Sequence, residues 1–133
     1  MIGIVVVTHS NLAREFITAA EMIVGPAAQL QAVSIDRATA VEMAQQQLQQ
    51  RLQEVGEDGD GVIILTDMFG GTPTNISAEF LQHPRVEIVT GVNLPMLLKC
   101  ISGRRGRTVA GLAVLLKDYG RKAIMRPSEM LPE

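Results

Sequence analysis

Two side chains of this 133-residue chain can do chemistry together. His9 follows the apolar run at residues 2–7, and Asp67 follows a second apolar run at 62–65. A carboxylate beside an imidazole accepts the proton of one ring nitrogen and leaves the other as a lone-pair nucleophile. Such a pair suits acceptance of a phosphoryl group. After Asp67 comes Met68-Phe69-Gly70-Gly71-Thr72-Pro73-Thr74-Asn75, in which two glycines free the backbone, Thr72 can cap a helix and Pro73 suits its first turn. A helix start there offers unpaired N–H groups and a favourable dipole to an arriving phosphate, with the Thr72 hydroxyl as a further donor. Ser10 adjoins His9, but neighbours in sequence rarely face one another, so it is read as a helix cap and not as a nucleophile.

Each feature also has a purely structural reading. A lone histidine at a strand end is often an exposed loop residue, and Asp67 with Gly70-Gly71 is also a plausible turn with a cap. Their joint occurrence at corresponding strand ends favours the chemical reading. A third loop, Gly91-Val92-Asn93-Leu94-Pro95, repeats the pattern of a strand end leading into a helix with an early proline.

Other phosphate chemistry is excluded by residue type. The 70–75 loop lacks the lysine of a nucleotide-binding P-loop, and no glycine fingerprint for dinucleotides follows the first strand. A receiver domain would need acidic magnesium ligands where Thr8-His9-Ser10 stands. Cys100, His9 and His83 have no metal-site spacing, so neither metal nor cofactor is expected. His83, before Pro84, reads as a solvent-facing helix end. A net charge of -2 with no Trp, one Tyr and three Phe argues against nucleic acid. Arg104, Arg105 and Arg107 read as a solvated basic loop.

The elements that must position these residues follow from periodicity. Runs of β-branched residues apolar on both faces suit buried parallel strands. Residues 11–24 carry Leu12, Phe16, Ala20 and Ile23 as one face of a helix. A more polar edge strand is expected at 30–35, then Asp36 as cap to a helix with the stripe Val41, Ala44, Leu48, Leu52 and Val55. A turn at 56–61 precedes the strand at 62–65. A helix to about Gln82, a strand at 86–90, and a helix ending near Gly103 come next. A last helix through Val109, Leu112, Ala113 and Leu116 would end at Gly120, with a short strand at 122–125. This alternation predicts a three-layer α/β/α domain with a mostly parallel sheet, whose strand ends share one ligand-binding rim.

At this point the chain resembles the enzyme IIA component of the mannose family of the bacterial sugar phosphotransferase system. The resemblance is carried by residues 3–10 with His9, by Asp67 with the 69–75 loop, and by Gly91-Val92-Asn93-Leu94-Pro95-Met96, and it spans about residues 1–125. It implies a core sheet of order 2-1-3-4 and a phosphocarrier that takes its phosphoryl group from phospho-HPr onto His9 and gives it to a IIB domain. Asp67 would orient His9, Gly71 and Thr72 would bind the phosphate, and Ser10, Gly70, Pro73, Asn75, Gly91 and Asn93 would support the site. It further implies a homodimer formed by exchange of a C-terminal strand, for which 122–125 is the candidate, and association with a membrane permease complex. Two alternatives stand beside it: a regulatory module that reports its His9 phosphorylation state to a partner protein, and a phosphotransferase subunit of the dihydroxyacetone kinase type.

A 14.4 kDa chain that is 47% hydrophobic and 20% charged fits one domain, here 1–125, with a frayed Pro-containing tail at 126–133. A fused IIB domain is not expected. A lone cysteine and the lack of a signal-like or membrane-spanning apolar segment point to the cytoplasm.

Overall fold

The computed structural model describes residues 1–132. Four strands, β1 (Gly3–His9), β2 (Leu30–Ile35), β3 (Val62–Thr66) and β4 (Val86–Thr90), form one sheet of order β2-β1-β3-β4 with every pairing parallel. Five helices connect and cover them: α1 (Leu12–Val24), α2 (Val41–Val55), α3 (Thr72–Ala78), α4 (Leu94–Gly103) and α5 (Val109–Lys122). Among the described residues no helix is long and apolar enough to cross a membrane.

The period-two geometry of a strand explains the two cores. Ile4 and Val6 of β1, with Ile63 and Leu65 of β3, pack beneath α1, α4 and α5; Val5 and Val7, with Val62 and Ile64, pack beneath α2 and α3. Strand β1 runs furthest toward the site, since Val7 lies opposite Thr66 and His9 opposite Ile35. The chain leaves β1 toward β2 on one side and then crosses to β3 on the other. Right-handed crossovers therefore place α1 and α2 on opposite faces, and a crevice opens between the ends of β1 and β3. His9 and Asp67 sit at that crevice.

Several local expectations are corrected. The buried face of α1 is centred on Ala13 and Ala20 with Phe16 and Ile17 beside them, while Leu12 and Ile23 are exposed. Ser10 does not cap α1: the buried Thr8 hydroxyl accepts from the Ala13 N–H at 2.6 Å, and Ser10 adopts φ +53°. Asp36 folds its own turn by accepting from the Ala38 N–H at 2.9 Å, and α2 begins only at Val41, itself exposed. Gly71, not Thr72, flanks the start of α3, which gives way to a 3-10 turn at Glu79–Gln82. Gly120 lies inside α5 against α4; a Cβ there would come within 2.6 Å of Met96 Cε, so a larger side chain would force the Met96 side chain to shift.

Residues 122–125 form no strand in the single chain. Lys122 closes α5, and Ile124 and Met125 are 79% and 64% exposed. The tail makes one exposed 3-10 turn at Pro127–Met130, while Glu133 lies outside the described residues. The basic loop divides. Arg105 and Arg107 are exposed, but Arg104 is only 3% exposed and its guanidinium donates to the carbonyls of Ile2 (3.0 Å), Gln29 (3.2 Å) and Ala28 (2.6 Å). It ties the α4–α5 loop to the starts of β1 and β2.

Candidate functional site

The site begins at the main chain. His9 is the last residue of β1, and the chain turns sharply at Ser10, whose left-handed backbone costs about 1 kcal/mol for a residue with a Cβ. The Ser10 N–H donates to the Ile35 carbonyl at 2.7 Å, which pins that turn to β2. From β3, Asp67 reaches across the crevice. Its Oδ2 accepts from the His9 backbone N–H at 2.9 Å and lies 2.8 Å from His9 Nδ1.

A carboxylate only accepts, so this contact places the proton on Nδ1 and leaves Nε2 with its lone pair. Burial pushes the Asp67 carboxyl up, but hydrogen bonds from the His9 main chain and ring outweigh it, with the attraction of the ring, and hold it below the ordinary value. The carboxyl is therefore ionised as the contact requires. The His9 side chain is 48% exposed against 12% for Asp67, so the imidazole faces solvent while the carboxylate is mostly covered.

Gly71 forms the floor. A Cβ at this position would lie 2.8 Å from His9 Cε1 and 3.2 Å from Nε2, closer than real side chains pack, so the ring rests directly on backbone. Gly70 precedes it with φ +87°, and the Asn75 N–H closes the first turn of α3 on the Gly71 carbonyl at 3.0 Å. Pro73 is buried in that turn, whereas Thr72 and Asn75 are exposed beside it.

The third loop shares the rim but plays another part. Asn93 caps α4 by accepting from the Met96 N–H at 2.9 Å and donates to the Gly120 carbonyl at 3.0 Å. Its side chain thus fastens α4 to α5. Gly91 makes the turn before it with φ +78°. His83 is exposed and accepts from the Arg85 N–H, apart from the crevice. Cys100 is buried in α4, where burial pushes its thiol up to about 12 and keeps it from acting as a nucleophile. Among the described residues no cluster of three His, Cys, Asp or Glu could hold a metal ion.

Sequence reasoning missed two groups near the site. Thr66 and Thr74 place their buried hydroxyls 2.7 Å apart, and the Thr74 hydroxyl is 2.6 Å from the Met68 carbonyl oxygen. A threonine at a strand end gives no pattern that announces such a contact. In the segments that follow β1 and β3 the apolar side chains of Leu12, Met68 and Phe69 stand exposed, Phe69 by 81%.

Residues 3–114 match the family model described as EIIA-man, PTS system fructose IIA component. The PTS system fructose-specific EIIA component of Bacillus subtilis (strain 168) is 30% identical over 132 residues, which is 98% of this chain and 90% of that protein. Among solved structures, the mannose/sorbose specific IIA subunit from Enterococcus faecalis superposes with a TM-score of 0.86 at 28% identity, covering 99% of this chain and 97% of that one. The PTS IIA protein associated with the fucose utilization operon from Streptococcus pneumoniae gives a TM-score of 0.87 at 26% identity, over 98% and 96% of the two chains.

Proposed function

Because the chain belongs to the EIIA-man family of phosphotransferase-system IIA components, phosphocarriers of sugar uptake, we propose that His9 is its phosphoryl acceptor. The group comes from phospho-HPr and leaves for a IIB domain. The observation that carries this reading is the 2.8 Å contact of His9 Nδ1 with Asp67 Oδ2, which frees Nε2 beside Gly71.

In the proposed step the Nε2 lone pair attacks phosphorus in line with the donor nitrogen. The new N–P bond forms as the donor's N–P bond breaks, and the donor imidazole recovers its electron pair. The Asp67 carboxylate supports the positive charge that the ring gains. Gly71 and Thr72 bind the phosphoryl oxygens, supported by Gly70, Pro73 and Asn75 in the loop and by Ser10, Gly91 and Asn93 around it. Because the phosphoryl group must move on, the site holds it without deep stabilisation. The exposed Leu12, Met68 and Phe69, in the segments after β1 and β3, together with the half-exposed His9, suit a surface that successive protein partners cover.

The homodimer belongs to the same reading. Among the described residues strand β4 ends the sheet with an unpaired edge, and the exposed Ile124 and Met125 offer an apolar segment for the edge of a second copy. The carrier works in the cytoplasm, alongside a membrane permease complex.

The test is transfer of label from phosphoenolpyruvate through enzyme I and HPr, comparing wild type with His9→Ala and then adding IIB. Label on wild type alone, passing on to IIB, is expected. Equal labelling of His9→Ala, or none on wild type with an active HPr, would overturn the assignment.

A further inference from the structure

We infer that Thr74 is a positioning residue for His9, acting through the loop that carries Asp67; the inference rests on the phosphocarrier reading above. The Thr66 and Thr74 hydroxyls lie 2.7 Å apart, and Thr74 Oγ1 lies 2.6 Å from the Met68 carbonyl oxygen. A carbonyl only accepts, so the Thr74 proton is committed to Met68 and Thr66 must donate to Thr74. The relay therefore has one direction. It joins the last residue of β3, the first turn of α3 and the loop between them.

That loop holds both groups that meet His9, the Asp67 carboxylate and the Gly71 backbone. Both hydrogen bonds received by Oδ2 come from His9 itself, and Oδ1 is buried without a hydrogen bond from any described residue. The aim of the carboxylate thus depends on where the loop backbone sits. The Thr74–Met68 bond is an internal cross-link that fixes it, placed where both hydroxyls are shielded from competing water.

Thr74→Val keeps the β-branched shape but leaves Met68 without its donor and Thr66 without its acceptor. Two quantities decide the matter: the rate of labelling by phospho-HPr, and the 15N shifts of the His9 ring in the unphosphorylated protein. The rate is expected to fall on the order of tenfold to a hundredfold, as small displacements at a reacting group do. The ring shifts should move from a single Nδ1–H tautomer toward a mixture, and Thr74→Ser should restore both. Wild-type ring shifts in Thr74→Val, or Thr74→Ser as impaired as the valine variant, would overturn the inference. Should Thr74→Val not fold, Thr66→Val decides, because it keeps the Thr74–Met68 bond and should keep the wild-type tautomer; a tautomer mixture there would also overturn it. The ring shifts need no donor protein, so a wild type that takes no label would sink the carrier reading and leave this test intact.

Discussion

The ring nitrogen and the backbone N–H of His9 converge on the same oxygen of Asp67, at 2.8 and 2.9 Å. One carboxylate therefore fixes the tautomer and also holds the end of β1. In Asp67→Asn the amide can turn its NH2 toward Nδ1, which moves the ring proton to Nε2 and removes the nucleophilic lone pair. Phosphoryl acceptance is expected to slow by about a hundredfold or more. The initial rate of labelling at fixed phospho-HPr measures this, and an Asp67→Asn protein labelled at the wild-type rate would refute the role.

The same contact links stability to pH. Although burial pushes the Asp67 carboxyl up, the His9 hydrogen bonds leave it below its ordinary value of 3.8. A carboxyl depressed in the folded state contributes stability that is complete above its unfolded pKa and is lost as pH falls through the folded one. From about pH 5 toward pH 3, the urea midpoint of wild type should fall relative to that of Asp67→Asn. A difference between the two that stays constant over this range would contradict the linkage.

Gly71→Ala tests the floor of the site. The added methyl would meet His9 Cε1 at 2.8 Å, so the half-exposed ring must swing away from Asp67. Labelling is expected to drop at least about tenfold while the melting temperature changes little, since the displaced group can move into solvent. Crystals of the variant showing His9 unmoved, with full activity, would exclude this account.

Arg104 offers a contrast, because it supports the fold and lies apart from the chemistry. Arg104→Met would leave the Ile2, Ala28 and Gln29 carbonyls without their charged donor. A loss of about 3 kcal/mol in unfolding free energy is expected from urea titration. Labelling of the folded fraction should match wild type. A variant as stable as wild type would mean that these hydrogen bonds contribute no net stability.

Four strands, their parallel sense and the placing of His9 and Asp67 at strand ends were legible in the residues, while the order 2-1-3-4 came from the family resemblance. A strand buried on both faces must be continuously apolar, so 2–7 and 62–65 announce themselves, and the polar residue that ends each run marks the rim. Glycine pairs and early prolines mark helix starts for similarly local reasons.

Other features emerge only when the elements pack. Alanines are weak hydrophobic signals, yet Ala13 and Ala20 form the buried face of α1 because small side chains let it lie close to the sheet. Arg104 reads as solvated until three backbone carbonyls, all more than seventy residues away, converge on it. The strand expected at 122–125 finds no ladder within one chain, because pairing needs an edge brought alongside. Thr66 and Thr74 acquire a direction only from the Met68 carbonyl that the fold sets against them. Periodicity records which face of an element is apolar; which distant polar groups must satisfy one another is fixed only when the elements pack.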